Sequence, residues 1–294
     1  MLPRASILAT LLLASTHLPA QIQTALQSSL RGTTATAIVL DADTGKLLAT
    51  VKPLEAAQLQ ALPGSVLKPL FLAAALEHND LQAATRVFCR RDLRINGRDL
   101  QCTHPQNNIA FNAPDALAYS CNTYFANLAN RMTPQTLREA ADHYGLGRST
   151  HLFAAEATSE IITPRSAEDK QLFVLGLAGI AASPAQIAAA YRKLWLELNR
   201  PESQTTLKAV MLGLRESVQY GMAHNADLPG VELIGKTGTA SDPNRPRSHG
   251  WFAGIATLHS KAIVVVLYLP NASGGDAASL ARHFLQAYQN GPAR

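Results

Sequence analysis

Short β-type runs stand at both ends of this 294-residue chain, with a mostly helical stretch between them, and that arrangement restricts the folds it can reach. Runs over 36–41 and 46–51 are joined by Asp43-Thr44-Gly45, which predicts a hairpin with glycine in its turn. Further strands are predicted over 231–236, 250–256 and 262–269, and an apolar-striped helix over 277–288 closes the chain. Strands this short need sheet neighbours. The economical solution is an α+β fold (an α/β sandwich): one antiparallel sheet of N- and C-terminal strands, with a mostly helical subdomain inserted, and a cleft at the junction. The sheet lobe would take in about 33–62 and 228–294, and the helical lobe about 63–227. With 47% hydrophobic and 16% charged residues, the chain can fill such a core and does not have a disordered composition.

Helix signals fill the middle. Ser183-Pro184-Ala185-Gln186 is a capping box with proline at the first helical position, opening a helix to about residue 199. Others are predicted over 206–222, 134–144 closed by Gly145, 114–119 and 123–132. No repeat or low-complexity linker divides the chain.

The first twenty residues read as an export signal. Arg4 precedes an apolar run over 5–14, and Ala20 offers a small residue before Gln21. Ten or so apolar residues cannot cross a bilayer, which needs about 20. Because Leu18 is not the small residue preferred at its place, an uncleaved anchor or a buried first helix stays open. The remaining chain, 21–294, is expected outside the cytoplasm (periplasmic), soluble or loosely membrane-associated. The net charge of +5 gathers at Arg90, Arg91, Arg94 and Arg98 and at Arg245 and Arg247. No aromatic platform accompanies them, so they read as solvated faces or a weak hold on an anionic envelope, not a nucleic-acid site.

Three cysteines suit that compartment with one left over. Cys89 and Cys102 flank Asn96-Gly97, a two-residue hairpin signal. A bridge between them is expected, but that turn puts Arg91 opposite Cys102, so the bridge needs a bulge or longer loop. Without one, both remain thiols. Cys121 is unpaired on either reading.

Three short motifs carry chemistry. In Pro63-Gly64-Ser65-Val66-Leu67-Lys68, Pro69 is tolerable only if the helix begins no earlier than about Ser65. Ser65 and Lys68, three apart, then share a helix face. A serine needs a base, and lysine is one only when neutral. Bringing its pKa from about 10.4 to about 7 costs roughly 4–5 kcal/mol, so desolvation or a second cation is required. By itself the tetrapeptide reads more readily as an ordinary serine cap with a surface lysine, since Ser-x-x-Lys arises about once by chance in a chain of this length. Ser120-Cys121-Asn122 lies between two predicted helices and adds a hydroxyl and an amide suited to moving a proton and gripping a peptide. Lys236-Thr237-Gly238-Thr239-Ala240 ends a predicted strand. It offers a cation and hydroxyls for a carboxylate-bearing substrate laid along a strand edge, with Gly238 allowing close backbone approach. Each pattern occurs once, in this order.

On these residues the chain resembles the penicillin-recognising serine acyltransferases, the penicillin-binding proteins and serine β-lactamases. Ala37-Ile38-Val39-Leu40-Asp41 with Thr44-Gly45, Ser120-Cys121-Asn122-Thr123-Tyr124-Phe125, Tyr144-Gly145-Leu146-Gly147, Gly235 to Ala240 and Trp251-Phe252-Ala253-Gly254 resemble the transpeptidase branch, over nearly the whole chain. The resemblance implies acyl transfer on D-Ala-D-Ala stem peptides of peptidoglycan, with β-lactams as covalent inhibitors. It makes Ser65 the nucleophile, Lys68 the proton acceptor and Ser120 the relay to the departing D-alanine. Asn122 would bind the substrate backbone or Lys68. Lys236, Thr237 and Thr239 would hold the terminal carboxylate, and the amides of Ser65 and Thr239 would form the oxyanion hole.

No cofactor or metal is called for, and the nine histidines show no ligand spacing such as His-Glu-x-x-His. His249, beside the Trp251 strand, is the one to place relative to the cleft. About fifteen residues separate the expected signal from the first strand, so the expectation is a stand-alone domain with neither pedestal nor glycosyltransferase. Such an enzyme would borrow glycan strands from a wall-synthesis partner, or pass its acyl group to water as a carboxypeptidase. A class D-like β-lactamase would prefer an apolar residue at Asn122 and an asparagine at Leu146. A non-catalytic β-lactam sensor or wall-binding module could also keep all three motifs.

Overall fold

A computed structural model describes residues 19–241, 247–258 and 260–291. All but the last two residues of the expected export signal, and Arg245, lie outside the described residues.

The strands from both ends do form one sheet. Residues 19–29 are helical (α1). The chain then runs through β1 (Thr36–Asp41), β2 (Leu47–Val51) and α2 (Pro53–Gln58), then a 3₁₀ turn over Gly64–Leu67 that continues into α3 (Lys68–Glu77). Two ribbons follow: β3 (Val87–Cys89) pairs with β6 (Ile109–Phe111), and between them β4 (Arg94–Ile95) pairs with β5 (Arg98–Asp99). Next come α4 (Ala113–Ala118), α5 (Asn122–Arg131), α6 (Pro134–His143), α7 (Ala167–Val174), α8 (Pro184–Leu198) and α9 (Lys208–Gln219). The strands β7 (Glu232–Ala240), β8 (His249–Leu258) and β9 (Lys261–Pro270) and helix α10 (Gly274–Gln289) end the fold. The main sheet is antiparallel in the order β2-β1-β9-β8-β7, with β7 an open edge.

Alternation along the central strands explains the layers. Ile38, Leu40, Val264 and Val266 face the helical lobe, while Ala37, Val39, Val265 and Leu267 face the core under α1 and α10. The sheet is therefore covered on both sides. Helix α1, not foreseen in the sequence, buries Ile22 and Leu26 in that second core. Its Gln23 side chain donates to Thr50 O (3.0 Å) and accepts from Thr50 N (2.9 Å), covering part of the β2 edge.

Local signals read well where they were strong. The Ser183/Gln186 capping box opens α8, and Asn96 and Gly97 take φ of 49° and 73°, as a type I′ turn requires. Two boundaries need correction. The helix expected over 206–222 is confined to Lys208–Gln219. Strand β7 does not end at Lys236 but runs on through Ala240, with Thr237 opposite Phe252 and Thr239 opposite Gly250. The β-branched threonines suit a pleated strand, and the glycine between them is held by its neighbours rather than marking a turn.

Candidate active site

The Ser65 turn is held from below. Leu62 O accepts hydrogen bonds from Trp251 Nε1 (3.0 Å) and His249 Nε2 (2.8 Å), and Gly64 N donates to Gly176 O (2.9 Å). A carbonyl only accepts, so Nε2 carries the proton of His249. That histidine is buried under the turn and does not line the cleft. Gly64 has φ 60°, and a Cβ there would lie 2.9 Å from Thr239 O, so the turn and strand β7 meet backbone to backbone. Gly238 completes this approach: its Cβ would lie 2.6 Å from Pro63 O and 3.2 Å from Val66 N. Gly238→Ala should therefore push the strand off the turn and cost about 1–3 kcal/mol of stability. Chemical denaturation checks this, and a variant within about 0.3 kcal/mol of the parent would contradict it.

Lys68 opens α3, with Pro69 in its first turn where no backbone donor is needed. Its side chain is fully buried, and Nζ donates to Ser120 O (2.8 Å), Ser120 Oγ (3.2 Å) and Asn122 Oδ1 (2.6 Å). None of its hydrogen bonds goes to Ser65. The i,i+3 spacing put both groups on one turn, but the long-range partners are those of the second motif. Ser120 delivers its carbonyl by taking φ 54°, a left-handed conformation costly for a non-glycine residue. Asn122 Nδ2 donates to Leu100 O (3.0 Å), which ties the motif to the segment after β5. Phe125, one turn on, presents its ring 5.2 Å from Nζ. Burial drops the Lys68 pKa to about 8, against the opposing pull of Cys102 and Cys121.

A second lysine is equally hidden. Lys236 is fully buried, and Nζ donates to Thr237 O (3.1 Å). Burial, then the charge of Lys68, holds its pKa well below the usual lysine value. Of the two hydroxyls expected to grip a carboxylate, Thr237 Oγ1 donates to Met222 O (3.2 Å). Thr239 Oγ1 accepts from Gly274 N (2.9 Å), leaving its own proton to donate, and this residue is exposed at the cleft.

The cleft has a volume of about 520 Å³, with Ser65, Asn122 and Thr239 converging on it. Arg98 from β5 and Gln101 from the segment after it form part of its wall. Arg98 is not simply part of a solvated basic face: its Nη1 donates to Leu177 O (3.4 Å), and both residues line the cleft. The hairpin signal at Asn96-Gly97 located the ribbon but not what it leans against.

Register in that ribbon runs as the turn dictates, with Cys102 N donating to Arg91 O (2.9 Å). The expected Cys89–Cys102 bridge is not formed: the sulfurs are 3.6 Å apart, and all three cysteines are buried thiols. Arg91 takes φ 71°, and this left-handed kink brings Cys89 beside Cys102 without facing it across the ladder. His104, absent from the sequence reading, joins them. Its Cys102-x-His104 spacing was the available signal.

Ser65, Asn122 and Thr239 at one cleft, with Lys68 and Lys236 buried in the same lobe junction, offer a hydroxyl and two desolvated amines on an α+β scaffold. The family model described as the penicillin binding protein transpeptidase domain matches residues 35–286, and the chain belongs to that family. It is 28% identical over 218 residues to the peptidoglycan D,D-transpeptidase PbpA of Mycobacterium tuberculosis, covering 60% of this chain and 44% of that protein. With stage V sporulation protein D of Bacillus subtilis it shares 24% over 251 residues, 72% of this chain and 38% of the relative. The chain thus spans less than half the length of these curated relatives. Among solved structures, Pseudomonas aeruginosa PBP2 superposes with a TM-score of 0.80 at 19% identity, covering 92% of this chain and 74% of the other. The transpeptidase domain of Burkholderia pseudomallei penicillin-binding protein 3 superposes at 0.79 and 20%, covering 92% and 93%. These likenesses establish the fold.

Proposed function

We propose that the protein is a serine D,D-transpeptidase that joins peptidoglycan stem peptides through an acyl-enzyme on Ser65 and is acylated there by β-lactams. The observation that carries this reading is the convergence of Ser65, Asn122 and Thr239, one from each of the three motifs, on one cleft, with Lys68 and Lys236 fully buried and near enough that, after burial, the charge of Lys68 further depresses the pKa of Lys236. Neutral Lys68 takes the Ser65 Oγ proton as the oxygen attacks the carbonyl of the penultimate D-alanine. The C–N bond then breaks, and Ser120, 3.2 Å from Nζ, passes the proton to the leaving D-alanine nitrogen. An incoming amine reverses the sequence and releases the cross-linked product. The amides of Ser65 and Thr239 serve as oxyanion donors, each worth about 3–4 kcal/mol. Lys236 and Thr239 hold the substrate carboxylate, and the anion restores the proton that burial removes from Lys236. The open β7 edge supports binding of an extended peptide by strand addition. The signal-like residues 1–20 support action outside the cytoplasm.

Intact-mass spectrometry of the protein with benzylpenicillin tests this. The expected result is a stoichiometric adduct that persists for hours and is absent from folded Ser65→Ala. No adduct on folded wild-type protein would refute the reading, and rapid loss of the adduct with consumption of the drug would make the protein a β-lactamase.

A further inference from the structure

Three thiols and one imidazole from separate segments meet beneath the Ser120–Asn122 loop. Cys89 ends β3, Cys102 and His104 follow β5, and Cys121 immediately precedes α5. All four are buried, and their ligand atoms lie within 4.8 Å of one another. The Sγ separations are 3.6 Å for Cys89–Cys102 and 3.8 Å for Cys102–Cys121, and Cys89 Sγ is 3.6 Å from His104 Nε2. A tetrahedral zinc, with Zn–S near 2.3 Å and Zn–N near 2.0–2.1 Å, has S···S edges of about 3.8 Å and S···N edges of about 3.6 Å. A disulfide would need sulfurs about 2.05 Å apart.

The surroundings suit coordinated thiolates. Arg91 N donates to Cys89 Sγ (3.3 Å), and Thr123 Oγ1 lies 3.4 Å from Cys89 Sγ and 3.6 Å from Cys102 Sγ. His104 is fully buried with Nδ1 unpartnered and Nε2 turned to sulfur, so neither ring nitrogen has an oxygen or nitrogen partner among the described residues. A metal bond to Nε2 would satisfy one of them. We propose that Cys89, Cys102, His104 and Cys121 form a closed, structural Zn²⁺ site. Binding exchanges the S–H protons, which leave to solvent, for Zn–S bonds. Four protein ligands leave no open position, so the ion holds structure and performs no chemistry.

What it holds is the second motif. Cys121 stands between Ser120 and Asn122, the two residues that bond Lys68, and Cys102 closes the ribbon whose Leu100 O holds Asn122. The ion would therefore pin the loop that orients Lys68 to the cleft wall.

The test is metal analysis of the full chain purified without chelator. About one zinc per chain is expected, falling below about a tenth in Cys102→Ser and His104→Ala. Because those variants could misfold, cobalt is also added to the metal-stripped wild-type chain. Intense tetrahedral visible bands with a thiolate charge-transfer band support the site. Wild-type protein that takes up neither metal, metal that persists in both variants, or a Cys89–Cys102 disulfide on non-reducing peptide mapping would overturn it. Stripping the zinc should also slow benzylpenicillin acylation about tenfold. Metal content and cobalt spectrum do not depend on Ser65 chemistry, so this proposal and the acylation reading fail separately.

Discussion

Lys68→Met will slow acylation by benzylpenicillin by about 10²–10⁴-fold, and wild-type acylation will rise with pH until about 8 and then level off. As an ammonium, Lys68 spends its three protons on Ser120 and Asn122 and has no lone pair for the Ser65 proton. Below its pKa the neutral fraction, and with it the rate, falls about tenfold per pH unit. The charged and titratable groups around Nζ are Lys236 from β7, whose charge would favour the neutral amine, and Cys102 and Cys121, whose thiolates would oppose it. A stability signature should accompany the kinetic one. The folded-state pKa lies below the reference value of 10.5, so between about pH 8 and 10.5 the unfolded chain binds more protons and stability rises with pH. The gain is on the order of 3 kcal/mol across that window, and Lys68→Met should remove it. Stopped-flow acylation across the range decides the kinetic part, and a flat profile for the wild type would sink Lys68 as the base.

Trp251→Ala will destabilise the fold by about 3–5 kcal/mol, as expected for removal of a fully buried indole. Trp251 stands opposite Gly238, contacts the Tyr268 ring edge-on (centroids 4.8 Å apart) and donates to Leu62 O. It supports both the sheet and the serine turn. Trp251→Phe keeps most of the packing and loses one hydrogen bond whose acceptor still has His249, so it should cost far less, about 1 kcal/mol. Urea unfolding of both variants provides the comparison. Equal losses would mean that the hydrogen bond, and not the buried ring, carries the effect.

Much of this site was legible because its chemistry is encoded locally. The serine–lysine spacing, the Ser120–Asn122 triplet and the Lys236–Thr239 run announce reactive groups, and the capping box at Ser183 and the turn at Asn96-Gly97 announce where elements begin. The ribbon register followed from its turn alone, which is why Arg91 faces Cys102 as expected. Other features had no local signature. A left-handed kink at Arg91 carries Cys89 to its neighbours, and nothing in the residue type requires it. Helix α1 was missed because its apolar residues find their partners on the sheet and on α10.

The sequence by itself determined which functional groups the protein owns, their order, and an antiparallel sheet drawn from both chain ends. Only the tertiary structure decided which of those groups meet. Lys68 finds its hydrogen bonds on a loop more than fifty residues away, both lysines are stripped of water, and three thiols converge with His104 behind the cleft. The physical reason is that spacing along a helix or strand sets direction over a turn or two. Desolvation and the convergence of distant segments are properties of the packed whole, and they set the protonation of each group.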